Sequence, residues 1–186
     1  MPSVRHRLTR TQQRVYDRSD ATASIPIRPT TRLRTAVLML PDVLRGGHRA
    51  QVESVSQSIA DEIAAALRVA RAQILVSGTR PSNTRGELHG LYTTAHGPHQ
   101  ATIKVWMITA KRGQVVAFKT YLRTLLHEIC HHLDYTLLGL PDSFHTTGFY
   151  RRESSLFHQI GGAVAANRGP QRQDSPWGAA GKALIR

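Results

Sequence analysis

Between Val115 and Leu138, the residues Phe118, Leu122, Leu125, Ile129, Leu133 and Leu137 recur every three or four positions and form one apolar stripe. Gly139 and Pro141 then end the periodicity, as a C-terminal glycine and a following proline do. A helix with one continuous apolar face has to be covered, so the other elements must pack on it. Upstream, Val52, Val55, Ile59, Ile63, Leu67 and Ala70 give a second amphipathic helix. Gln73 to Val76 is short, apolar and β-branched and reads as a strand. Gly86 to Thr93 and Ala101 to Thr109 read as two more, separated by the turn His96-Gly97-Pro98-His99. In the second, Ile103, Val105 and Met107 alternate with Lys104, Trp106 and Ile108, which predicts an edge strand. A last helix is expected from Thr147 to Val164, with Phe149, Leu156, Ile160 and Val164 inward. The order is helix, short sheet, helix, helix, and the class is α+β.

With 186 residues, the chain suffices for one domain with tails. Residues 1–31 are polar and basic, with Pro26 and Pro29 near their end, and read as a flexible arm. Residues 32–165 form the expected domain, opened by the apolar segment Ala36 to Leu40 that Pro41 closes. Residues 166–186, rich in Gly, Pro and Gln, read as a disordered tail. No apolar run approaches the roughly 18 residues of a membrane span. The N-terminus lacks the apolar core of a secretory signal, and the expected location is cytoplasmic. The formal charge is +13, from 25 Lys and Arg against 12 Asp and Glu. Such a field favours polyanions, so association with DNA is a candidate partnership. Aromatic residues suited to base stacking are few. Oligomeric state is left open.

The central helix carries His127-Glu128-Ile129-Cys130-His131, an H-E-x-x-H sequence. Positions i and i+4 stand one above the other on a helix, so both imidazoles reach one metal ion. Glu128, beside the first histidine, is placed to take a proton from a metal-activated water. Flanking Leu125, Leu126 and Leu133 imply partial burial, and burying two histidines and a glutamate without a metal or partners is costly. Cys130 is the only cysteine, so no thiolate zinc cluster can form, and the Zn2+ expected from the motif must be held by His and carboxylates. Cys130 itself reads as core, and Tyr121 as packing.

A zinc hydrolase keeps three protein ligands and one open position. Asp134, three residues after His131, is too far along the axis to ligate and reads as an outer or structural partner. His132 is rotated by about 100° from His131 and points away. His145 follows the break at Gly139-Leu140-Pro141, where the chain can turn back, and is favoured as the third ligand. Glu153 lies inward between Phe149 and Leu156; it is the alternative third ligand, or an acid that orients a liganded histidine. Tyr150 and Arg151 or Arg152 are candidates to stabilise an oxyanion.

His127-Glu128-x-x-His131, followed after a short gap by Ser143-Phe144-His145 and a new helix, resembles the SprT-like zinc metallopeptidases, a zincin-type family. The resemblance covers residues 48–162 in outline and 120–155 in recognisable residues. It implies a compact zincin-like domain: an N-terminal helix, a small three-stranded sheet, the H-E-x-x-H helix and a C-terminal helix. It also implies that His127, His131 and His145 bind zinc and that Glu128 is the catalytic base. The four-cysteine zinc ribbon of many relatives is missing. Zincins pair an extended peptide with the edge strand beside the motif helix, for which the candidate here is Thr102 to Ile108.

Two functions follow as expectations. One is a zinc metallopeptidase hydrolysing peptide bonds in proteins, including proteins associated with nucleic acid. The other is a nucleic-acid-associated binding protein whose zinc site is structural or degenerate. A hydrolase of other carbonyl substrates uses the same ligands and is a third.

Overall fold

The computed structural model describes residues 4–84 and 86–166. Among these are five α-helices and a small three-stranded sheet, and the class is α+β as expected. The helices are α1 (Arg10–Ala21), α2 (Thr31–Gly46), α3 (Arg49–Leu67), α4 (Phe118–Thr136) and α5 (Thr147–Ala166). The strands are β1 (Gln73–Thr79), β2 (Ser82–Asn83), β3 (Gly86–Glu87), β4 (Gly90–Thr93) and β5 (Thr102–Ile108). β2 and β3 form a separate two-stranded ribbon.

The main sheet has the order β1-β5-β4, with β1 parallel and β4 antiparallel to β5. β5 is therefore central, which corrects its reading as an edge strand. Its alternation is real, but both neighbours sit beside it: Ile103, Val105 and Met107 are buried on one face, and Trp106 is buried as well. Periodicity reports which face is covered, not which edges are paired. The exposed edge next to α4 belongs to the four-residue β4.

The segment Ala36 to Leu40 does not stop at Pro41. It is the middle of α2, which Thr30 caps through its side chain and Gly47 closes in the left-handed conformation. A proline inside a helix costs about 3 kcal/mol. Leu33, Val37, Leu40 and Leu44 are all buried along one stripe, each worth about 1.5–3 kcal/mol, and their burial outweighs the lost hydrogen bond.

The largest departure is at the N-terminus. Residues expected as a flexible arm are packed onto the domain. A reciprocal capping box of Thr9 and Gln12 starts α1, and Val15, Ser19, Ile25 and Ile27 are buried. Gln159 of α5 holds the extended stretch that follows: its amide nitrogen donates to the Ile25 carbonyl at 3.0 Å, and its oxygen accepts from Ile27 N–H at 2.8 Å. Ile25, Ile27 and the residues of α2 to α5 belong to one hydrophobic core. Composition misled here because two isoleucines and a few small polar residues suffice to dock a segment on an existing surface. Of the expected tail, only Ala166, the last residue of α5, is among the described residues; positions 167–186 lie outside them.

No helix among the described residues is long and apolar enough to cross a membrane.

Candidate metal centre

α4 fixes the first two histidines. Its apolar stripe (Leu122, Leu125, Leu126, Ile129, Leu133) is buried in the core, which turns the 127/131 edge toward a cleft of about 560 Å³. β4 and the two residues before it, Leu88 and His89, form the opposite wall. The chain leaves α4 through Gly139 in the left-handed conformation, and Leu138 N–H returns to the Leu133 carbonyl. The loop then brings His145 back over the helix. Its Nε2 lies 3.0 Å from His127 Nε2 and 3.1 Å from His131 Nε2. These three residues are the metal-competent cluster among the described residues. Phe149, fully buried, lies beneath all three rings, with centroids 4.9, 4.7 and 5.1 Å from His127, His131 and His145.

Glu153 does not join the cluster. Its Oε2 is 3.1 Å from His127 Nδ1, so it orients that ring, and its Oε1 accepts from Arg123 at 3.4 Å. On the other flank His131 Nδ1 is 2.7 Å from Ser143 Oγ, and Ser143 donates to Asp134 Oδ2 at 2.7 Å. Asp134 Oδ1 accepts from Arg152 at 2.8 Å, and both side chains are fully buried. Because the Ser143 hydroxyl proton goes to Asp134, Ser143 Oγ accepts from His131, which is thus protonated at Nδ1. Glu153 imposes the same tautomer on His127. The Nε2 atoms of His127 and His131 therefore both present lone pairs toward His145 Nε2, which can give a proton to only one of them. A cation is what such an arrangement fits. Nitrogens around a tetrahedral zinc, at bonds of about 2.0–2.1 Å, stand about 3.3 Å apart, close to the 3.0 and 3.1 Å that separate His145 Nε2 from the other two. An all-imidazole set with an open fourth position matches zinc chemistry. Burial and the two neighbouring histidines push the pKa of His131 down to about 3, and burial lowers that of His145. Both rings are thus kept neutral and able to ligate.

Glu128 is 6 % exposed and leans against β4. The Tyr92 backbone N–H bonds its carboxylate, and a Cβ at position 90 would overlap that carboxylate, so a larger residue there would displace Glu128 from this position. Burial lifts its pKa to about 7, while His127 and the Tyr92 N–H pull the other way. Because Tyr92 N–H points away from β5, the alternation of an antiparallel pair turns Gly90 N–H and C=O to the cleft as well.

The other candidates separate cleanly. His132 does point away: its Nε2 is 2.7 Å from the Ala70 carbonyl and its Nδ1 3.2 Å from Tyr92 Oη. Cys130 is buried core, and Tyr121 is buried with its hydroxyl on Ser56. Arg152 is corrected as an oxyanion candidate, because it is fully buried and committed to Asp134 and α1. Arg151 is exposed. Tyr150, 52 % exposed, stacks on His145 with centroids 5.8 Å apart. The roles of Ser143, Arg123 and Gly90 were not read from the sequence. A charged residue on an inward stripe was a usable signal for Arg152, which follows Phe149 by three positions and precedes Leu156 by four. Gly90 carried none, since its meaning depends on a helix 38 positions away in the chain.

No family model, no curated protein and no solved structure matches this chain.

Proposed function

We propose that the protein is a zinc-dependent hydrolase of peptide bonds, with His127, His131 and His145 as ligands and Glu128 as general base. The observation that carries the reading is the convergence of three imidazole Nε2 atoms beside a buried carboxylate, at the floor of an open cleft. A structural zinc site is closed by four protein ligands; here three histidines line an open cleft and the third is exposed. Zinc bound there supplies a Lewis acid for the scissile carbonyl and lowers the pKa of water at its open position toward about 7.

The remaining work falls to the chain. Glu128 takes the proton of the attacking water and delivers it to the departing amine; a carboxylate lifted toward neutral pH suits both transfers. Tyr150, at the rim over His145, is the available donor for the developing oxyanion. An extended peptide would pair with the outward groups of β4 rather than with β5, whose two edges are taken. The charge of +13 favours substrates held on nucleic acid, and a cytoplasmic location belongs to the same proposal.

The test is Glu128→Gln. Hydrolysis of an unfolded protein substrate is expected to fall about 10²–10⁴-fold with zinc content, read by elemental analysis, unchanged. Wild-type cleavage in that variant would overturn the reading, as would a wild-type protein that takes up no zinc.

A further inference from the structure

The end of α1 contributes more than packing. Arg152 donates from Nη1 to the carbonyls of Ser19 and Thr22 and from Nη2 to Ser19 Oγ at 3.0 Å. The last carbonyls of a helix have no partners within it, and a cation there also answers the negative end of the dipole. The same guanidinium reaches Asp134 at 2.8 Å and lies 5.7 Å from the Phe149 ring centroid, under the histidines. Asp134 connects to Ser143, and Ser143 to His131 Nδ1, at 2.7 Å in each step. A second path is equally short. Ser19 Oγ is 3.3 Å from Thr146 Oγ1, next to His145, and Asp20 Oδ1 accepts from Gly148 N–H at 2.8 Å. A Cβ at Gly148 would overlap the Ser19 and Asp20 carbonyls, so the close approach of α1 to the first turn of α5 needs glycine there.

We propose that residues 10–22 are a positioning element of the metal centre: the terminal carbonyls of α1 hold Arg152, which through Asp134 and Ser143 fixes His131 with Nδ1 protonated and Nε2 free to ligate. The inference rests on the metal reading above and deepens it. Each link has one allowed direction. Arg152 only donates, so Asp134 accepts on Oδ1; Asp134 as a carboxylate only accepts, so Ser143 donates to Oδ2; the Ser143 lone pair then receives His131 Nδ1–H. Arg152 cannot lose its proton in a protein, which makes the far end of the chain invariant. Detach α1, and Arg152 loses three of its four hydrogen bonds.

Three variants test this without replacing a metal-site histidine. Ser143→Ala removes the acceptor for His131 and leaves Asp134 and Arg152 paired, whereas Ser143→Thr keeps the hydroxyl. Gly148→Ala displaces the end of α1 with every relay side chain retained. Zinc affinity, measured by competition with a chromophoric chelator, is expected to weaken about 10–100-fold in Ser143→Ala, to recover in Ser143→Thr, and to weaken at least several-fold in Gly148→Ala. The His131 tautomer, read by ring nitrogen NMR in the zinc-free protein, is expected to be Nδ1–H in wild type and mixed in Ser143→Ala and Gly148→Ala. Hydrogen exchange of α1 amides and circular dichroism establish that α1 has shifted while the domain stays folded. Unchanged tautomer and affinity in Ser143→Ala and Gly148→Ala would overturn the inference. A wild type that binds zinc with the expected tautomer but cleaves nothing would overturn the peptidase reading and leave this one standing. A wild type without zinc affinity sinks the metal reading, and the tautomer still decides the relay.

Discussion

The two helical histidines are held in different ways. His127 leans on Glu153 directly, and Glu153 leans on Arg123, whose side chain is 44 % exposed. His131 is held through the neutral Ser143, with the charges one step further back and fully buried in Asp134 and Arg152. One flank places the largely buried Glu153 carboxylate against its histidine, with its partner Arg123 toward solvent; the other keeps its charge pair away from its histidine and out of water. Solvent reaches the first through Arg123 and does not reach the second, so the first tunes its histidine at little structural cost, whereas the second couples its histidine to the stability of the fold.

The sharpest way to break this comparison is to truncate the acid on each flank. Asp134→Ala leaves the Arg152 guanidinium buried without a counter-ion and is expected to cost about 3–5 kcal/mol of stability. Glu153→Ala, with its partner half in water, should cost about 1 kcal/mol or less. Urea unfolding of the zinc-free protein measures both, and equal losses would erase the distinction.

A smaller effect is expected with pH. In the zinc-free protein His131 stays neutral down to about 3, whereas in the unfolded chain it protonates below about 6.5. The unfolded state therefore binds the extra proton, and stability contributed by this group falls as pH drops from 6.5 toward 3. Glu128 runs the opposite way. Its folded pKa of about 7 exceeds the ordinary carboxyl value of 4.5, so its contribution is complete below 4.5 and is lost as pH rises toward 7. Thermal melts of the zinc-free protein should show His131→Asn flattening the acid limb and Glu128→Gln flattening the limb between pH 4.5 and 7. An unaltered limb in either variant would assign it to other groups.

The smallest effect belongs to the solvent edge. Arg123→Ala is expected to weaken zinc binding less than about fivefold, with the difference from wild type shrinking further in high salt. Chelator competition at two salt concentrations reads it. A loss above tenfold would mean that the His127 flank is as tightly coupled as its counterpart.

Much of the centre was legible because it is local. The pair His127 and His131, Glu128 between them, the outward turn of His132 and the favoured return of His145 were readable from helical periodicity and one glycine break. Glu153 was visible as an acid on an inward stripe, although whether it ligates or orients was open until its 3.1 Å contact to His127 Nδ1 was seen. Arg152 sat on the same stripe but was read as a cleft donor, because its partners Ser19 and Thr22 lie 133 and 130 positions earlier. The central place of β5 and the packing of residues 10–30 were missed for a related reason: neither has a periodicity of its own that names its neighbour.

By itself, then, the sequence determined an α+β chain with a histidine pair and a glutamate on one helical face, since 3.6 residues per turn is a property of the backbone alone. Tertiary structure decided which strand has a free edge, which acid touches which imidazole, and that the N-terminal helix closes the back of the site. Those outcomes depend on buried polar groups finding partners far away in the chain, and the penalty for leaving such groups unpaired is exerted only once the core has formed around them.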